Sequence, residues 1–159
     1  MTDVHMLIDL LTHRGQTLAT CESLTAGAVA ARCADVPGAS AVLRGGLVTY
    51  SAELKTSLAG VDAQLIADYG VVSAECAAAM AHGARTVCSS DWAVALTGVA
   101  GPGPADGHAA GDVYIAVAGP TAGSVQTRLY QWPGCDRADV RQKSIAAALF
   151  LLHEIVIDS

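Results

Sequence analysis

Large rings are scarce in this chain. Aromatic residues fill 4% of its 159 positions, with one Phe, two Trp and four Tyr. Alanine (31) and glycine (16) are abundant instead, so its helices and strands are expected to meet through close backbone approach. Lysine is scarcer still: Lys55 and Lys143 are the only two, which leaves a short list for any chemistry that needs an amine. No stretch approaches the roughly 18 uninterrupted apolar residues of a membrane span. An apolar content of 52% with a mean hydropathy of +0.41 excludes disorder. Nine Lys and Arg against 15 Asp and Glu give a net charge of −6, so neither nucleic acid nor a membrane surface is an expected partner. The five cysteines are odd in number and contain no CxxC pair, which argues against a disulfide framework and against zinc; reduced, mostly buried thiols and no metal are expected. Residues 1–11 carry Asp3 and Asp9 and lack a basic leader, so they do not read as a signal peptide, and a cytoplasmic location is expected. The length suits a single domain over residues 1–159.

The order of patterns is helix, strand, helix, strand, short helices, a longer helix, three strands and a final helix. Apolar positions Val4, Leu7, Ile8, Leu10 and Leu11 recur at helical spacing over residues 2–14. A strand over residues 17–20 runs into the turn Cys21-Glu22-Ser23, and a small-residue helix over 24–34 stops at Pro37-Gly38. The β-branched run 47–50 is a strand closed by Ser51, a suitable N-cap for a short helix containing Glu53 and Lys55. Asp62 and Ser73 can cap two further helices, ending near Tyr69 and Cys88. Strands follow over 92–97, 112–118 and about 124–132, the last two as a hairpin, and Asp136 or Asp139 opens the last helix. This order predicts an α/β fold, a three-layer α/β/α sandwich with a mixed β-sheet. Open sheets of this kind place ligands beyond the carboxyl ends of strands, where the segments 21–25, 50–55 and 97–107 fall.

Ser23 sits between a strand end and a helix start, where the N–H groups of Thr25 and Ala26 could face a developing negative charge. The plain alternative is that Ser23 or Thr25 is an ordinary N-cap. A serine nucleophile needs a base. The sequence offers no convincing His–Asp pair, so Lys55 is the available base if burial or a nearby cation lowers its pKa. Tyr50 ends the same strand and could bridge Lys55 and the serine hydroxyl. Cys21 is a conceivable thiol nucleophile, but a buried inert thiol is the better reading. The only histidine at these three loops is His108, directly after the third. The segment Thr97-Gly98-Val99-Ala100-Gly101-Pro102-Gly103-Pro104 offers backbone amides with little bulk, suited to close approach of a phosphate or ribose. It is neither a P-loop nor a dinucleotide fingerprint, so ATP and NAD are disfavoured. Arg137 and Arg141, one turn apart, could pair with a phosphate or with Asp136 and Asp139.

Several ordered segments together resemble the C-terminal domain of the competence/damage-inducible protein CinA. They include Ala19-Thr20-Cys21-Glu22-Ser23-Leu24-Thr25-Ala26-Gly27, Arg44-Gly45-Gly46-Leu47-Val48-Thr49-Tyr50-Ser51 with Lys55, Leu96-Thr97-Gly98-Val99-Ala100-Gly101-Pro102, Gly111-Asp112-Val113-Tyr114 and Asp136-Arg137-Ala138-Asp139-Val140-Arg141. The resemblance implies a three-layer domain, often a homodimer, that hydrolyses the carboxamide of nicotinamide mononucleotide to nicotinate mononucleotide and ammonia without a cofactor, in pyridine-nucleotide recycling. It implies Ser23 as nucleophile, Lys55 as general base and Tyr50 as the third catalytic member. Thr25, Thr97, Gly98 and Gly101, with Arg137, Arg141 or both, would contact substrate. The alternatives are a catalytically silent nucleotide- or protein-binding module of the same fold and a serine amidase for another small amide. Two segments depart from the family pattern. Leu24 and Ala26 stand where Cys and Gly are usual, and Gly107-His108-Ala109-Ala110 stands where Lys-Pro is common.

Overall fold

A computed structural model describes residues 4–159 of the chain. The elements in order are α1 (Val4–Arg14), β1 (Leu18–Glu22), α2 (Ala28–Ala34), a 3-10 turn (Ala39–Ala41), β2 (Leu43–Val48), α3 (Ala52–Ser57), α4 (Ala63–Tyr69), α5 (Ala74–Cys88), β3 (Trp92–Gly98), β4 (Asp112–Ala118), β5 (Val125–Gln131) and α6 (Arg137–Ile157). Residues 2 and 3, assigned to the first helix from sequence, lie outside the described residues. The five-stranded sheet has the order β2-β1-β3-β4-β5. Strands β2, β1 and β3 are parallel, whereas β4 and β5 form an antiparallel hairpin on the β3 edge. The sheet is mixed, with helices on both faces, as the element order requires. Among the described residues no helix is long and apolar enough to cross a membrane.

The alternation of side chains along each strand divides the core by size. On one face Val94, Leu96, Val113, Ile115 and Val117 join Leu7, Ile8 and Leu11 of α1 and Val140, Leu149 and Leu152 of α6. On the other face Ala93, Ala95, Ala116 and Ala118 meet Cys76, Ala77, Met80, Ala81 and Ala84 of α5. Alanine on both partners lets α5 lie close to the strands. The chain between α3 and α4 also reaches α5: a Cβ on Gly83 would sit 1.7 Å from the Ala59 carbonyl oxygen, an impossible contact. Ser51, Asp62, Ser73 and Asp136 each cap their helix through the side chain, so Asp136 rather than Asp139 opens α6.

Three boundaries differ from the sequence expectation. Strand β1 runs through Cys21 and Glu22, expected as a turn, because both pair with β2 and β3. Strand β2 begins at Leu43, runs through Gly45-Gly46 and ends before Tyr50, because pairing with β1 holds the glycines extended. A Cβ on Gly46 would lie 2.6 Å from Thr20 Oγ1 and 3.2 Å from Ala30 Cβ, so glycine there admits α2 to the sheet. The α2 helix starts at Ala28, not Leu24, since residues 23–27 form a turn in which Gly27 takes φ 94°.

Candidate active site

The parallel pairing ends at Glu22, Val48 and Leu96, which are in register, and β3 runs two residues further to Gly98. Just past those ends, Ser23 N–H donates to the Leu96 carbonyl and Thr49 N–H donates to the Glu22 carbonyl. The serine is thereby fixed at the carboxyl edge of the sheet, where a ligand crevice is expected. A cavity of about 360 Å³ opens there, lined by Ser23, Leu24, Tyr50, Lys55, Val71, Val72, Thr97, Gly98 to Gly101, Asp106 and Arg137, among others. That volume lies within the range of small-molecule sites, roughly 300–1,000 Å³.

Lys55, on the short helix α3, turns inward and is 2% exposed. Its Nζ lies 2.7 Å from the Thr49 carbonyl oxygen and 3.3 Å from Ser23 Oγ. Loss of hydration pushes its pKa below the usual lysine value, partly offset by Cys76, Cys21 and Asp106, which favour the charged form. Nζ donates in both contacts; once the amine is neutral, its lone pair is free to accept the serine proton while one N–H stays on the Thr49 carbonyl. Burial raises the Cys21 thiol to about 11 and the Cys33 thiol to about 12, so neither is a thiolate at neutral pH. Cys21, beneath the site with Sγ 3.5 Å from Thr49 Oγ1, is packing rather than a nucleophile.

Glu22 is fully buried, and sequence reasoning gave it no role. Its Oε1 accepts from Thr25 Oγ1 at 2.7 Å and from Val29 N at 2.8 Å, while Oε2 accepts from Thr20 Oγ1 at 3.0 Å and from Ala30 N at 3.1 Å. The carboxylate therefore satisfies the first-turn amides of α2, whose own N-cap, Gly27, has no side chain to do so. The signal was present in the sequence as an acidic residue ending an apolar strand shortly before a glycine-capped helix. This arrangement removes the Ala26 N–H from the expected oxyanion site. The helix start is already occupied by Glu22, and Ala26 N–H is spent on the Ser23 carbonyl at 3.0 Å. Ala26 itself sits at φ 52°, a conformation that costs a residue with a Cβ about 1–2 kcal/mol and suits the glycine usual at this position.

The remaining expected site residues divide into two groups. Thr97 and Gly98 line the cavity; Thr97 Oγ1 is engaged by the Val71 carbonyl at 2.6 Å, and a Cβ on Gly98 would lie 2.6 Å from the Asp112 oxygen. Gly101 also lines it, and its carbonyl accepts from Arg137 Nη1 at 2.8 Å. Tyr50 is at the cavity rim, 55% exposed, with its hydroxyl 2.8 Å from Arg137 Nη2. Among the described residues no hydrogen bond joins Tyr50 to Ser23 or Lys55, so the expected bridge is absent and the phenol holds an arginine instead. Thr25 and Arg141 lie off the cavity wall. Thr25 Oγ1 is bound to Glu22, and Arg141 donates from Nε to the Leu24 carbonyl at 2.9 Å and from Nη2 to the Thr25 carbonyl at 3.2 Å. The two arginines one turn apart on α6 thus do different things: Arg137 faces the cavity, and Arg141 fastens the serine turn to α6. His108 is also off the wall, with its Nδ1 3.5 Å from Asp112 Oδ2 and its ring edge-on to Tyr114. Asp106, which sequence reasoning passed over, does line the cavity.

A three-layer α/β/α domain with a buried lysine against a serine at the carboxyl edge of a mixed sheet defines the class of protein. The model of the CinA C-terminal domain family matches residues 2–156, and the chain belongs to that family. It is 44% identical over 151 residues to a CinA-like protein of Frankia casuarinae, covering 95% of this chain and 34% of that protein. It is 43% identical over 148 residues to a putative competence-damage inducible protein of Streptococcus thermophilus, covering 93% and 34% respectively. The chain thus spans about a third of the length of these curated relatives. A solved CinA superfamily protein from Klebsiella pneumoniae superposes with a TM-score of 0.91 at 31% identity, over 99% of this chain and 100% of that one. The competence/damage inducible protein CihA from Agrobacterium tumefaciens gives 0.89 at 31% identity, over 97% and 96%.

Proposed function

We propose that this domain is an amidase that hydrolyses the carboxamide of nicotinamide mononucleotide to nicotinate mononucleotide and ammonia, acting without metal or cofactor and as a homodimer. The observation that carries the reading is the buried, desolvated Lys55 amine 3.3 Å from Ser23 Oγ inside a nucleotide-sized cavity. Neutral Lys55 takes the Ser23 proton as Oγ attacks the carboxamide carbon. The tetrahedral oxyanion is left to the amides of the cavity wall, Leu24 foremost, because the α2 start is filled by Glu22. Collapse breaks the C–N bond, and Lys55 returns its proton to the departing nitrogen, which leaves as ammonia. Lys55 then deprotonates a water that attacks the acyl ester; the C–O bond breaks, Ser23 regains its proton and the nicotinate carboxylate departs. Arg137, oriented by Tyr50 and Gly101, is the group for the phosphate.

The test is ammonia release from nicotinamide mononucleotide by the wild type, Ser23→Ala and Lys55→Ala, with free nicotinamide as a control for the phosphate. Each variant is expected to lose on the order of a thousandfold in kcat. Unchanged turnover in either variant removes that residue's role, and binding without ammonia release by the wild type makes the domain a binding module.

A further inference from the structure

Among the described residues, the acidic and basic side chains lining the cavity besides Lys55 are Arg137 and Asp106. Asp106 is placed by a tight turn. Ala105 and His108 exchange backbone hydrogen bonds, at 3.1 Å from Ala105 N and 2.9 Å from His108 N. The two residues between them, Asp106 and Gly107, both take positive φ, 51° and 78°. That is the pattern of a type I′ turn, for which Asp-Gly is a favoured pair. The turn is anchored behind by His108 against Asp112 and Tyr114. Among the described residues no hydrogen bond or ion pair engages the Asp106 carboxylate, whose charge reaches Lys55 only through space, so its oxygens are left for a ligand.

An exposed carboxylate is a poor feature for a site that takes only an anion, since it repels the phosphate that Arg137 attracts. In the neutral form of Lys55 that proton abstraction requires, the cavity wall presents one cation, Arg137, and one anion, Asp106, which complements a ligand carrying both charges. Resting on the amidase reading, we propose that Asp106 is a specificity-determining residue that recognises the positive charge of an N-alkylated pyridinium ring, while Arg137 takes the phosphate. The cavity then selects zwitterionic pyridinium nucleotides over neutral-ring amides of the same shape.

Nicotinamide mononucleotide and its reduced 1,4-dihydro form share carboxamide, ribose and phosphate and differ in ring charge, so they are the probes. Dissociation constants are measured by calorimetry in the Ser23→Ala background, where turnover does not interfere, with and without Asp106→Asn. Asparagine tolerates positive φ as well as aspartate does, so the turn survives and only the charge is lost. The wild-type side chain is expected to favour the oxidised form about fivefold at low salt, with the ratio falling to about one in Asp106→Asn. Equal weakening of both ligands by Asp106→Asn, or an unchanged ratio, overturns the proposal. If Ser23→Ala does not fold, the KM ratio of the two substrates in otherwise wild-type protein with and without Asp106→Asn gives the same reading. Ammonia release by the wild type tests the amidase reading separately. An active enzyme with no charge preference sinks Asp106 alone, whereas charge-selective binding without ammonia sinks the chemistry and leaves the recognition site standing.

Discussion

Replacing Glu22 with glutamine keeps the shape and removes the charge, and the hydrogen bonds around it set the cost. Each carboxylate oxygen accepts from one hydroxyl and one backbone N–H: Thr25 Oγ1 and Val29 N on one, Thr20 Oγ1 and Ala30 N on the other. Whichever oxygen becomes the amide nitrogen, the threonine hydroxyl can rotate to accept from it. The backbone N–H cannot, and it is left buried against another donor. An orphaned buried donor costs roughly 1–3 kcal/mol, and the surviving bonds lose their charge assistance, so about 3 kcal/mol in total is expected. For a domain of this length about 1 kcal/mol shifts Tm by roughly 2–4 °C, which predicts a fall of about 6–12 °C. The assay is thermal unfolding by circular dichroism together with urea titration, and kcat measured below the transition should fall as well, because Thr25 ties the serine turn to this carboxylate. A Glu22→Gln protein within about 0.5 kcal/mol of wild type in urea would refute the account of Glu22 as the internal cap of α2.

The further expectations concern the cations Lys55, Arg137 and Arg141. The unfolded Lys55 amine keeps its proton up to about pH 10.4, whereas burial lowers the folded value, so the unfolded state binds more protons across the interval between them and stability rises with pH there. Urea titrations of wild type and Lys55→Met from pH 7 to 10 are expected to show the wild type gaining relative to the variant as pH rises; a flat difference contradicts a desolvated amine. The amidase rate should likewise climb with pH as Lys55 becomes neutral. Arg137→Ala is expected to raise KM by about tenfold with little change in Tm, and Arg141→Ala to lower stability by about 1–2 kcal/mol with a loss in kcat, because Arg141 binds the Leu24 and Thr25 carbonyls. Matching effects in the two variants on steady-state kinetics and melting would contradict the division of labour on α6.

What could be read from sequence was local periodicity, capping and turn chemistry. The small-residue composition foretold close packing, Ser51, Asp62, Ser73 and Asp136 marked helix starts, and the order of patterns specified a mixed sheet between helices. These features depend on residues within a few positions of one another, so a linear chain displays them. The residues suspected of chemistry were also visible, since only two lysines exist and only Lys55 falls near a strand end.

Tertiary structure alone decided which suspects meet. Lys55 reaches Ser23 across 32 positions because α3 folds back over the ends of β1 and β2, and its charge state follows from burial that no local pattern reports. Arg137 and Arg141 look interchangeable in sequence, yet the rise of one helical turn along α6 puts one at the cavity and the other at the serine turn. Glu22 reads only as part of a turn until the start of α2 is brought against it, and the glycines of β2 fall outside the strand read from sequence until β1 pairs with them. The sequence determined the elements and the residue types available; the juxtaposition of buried polar groups, and therefore their protonation and partners, arises only when distant segments exclude water together.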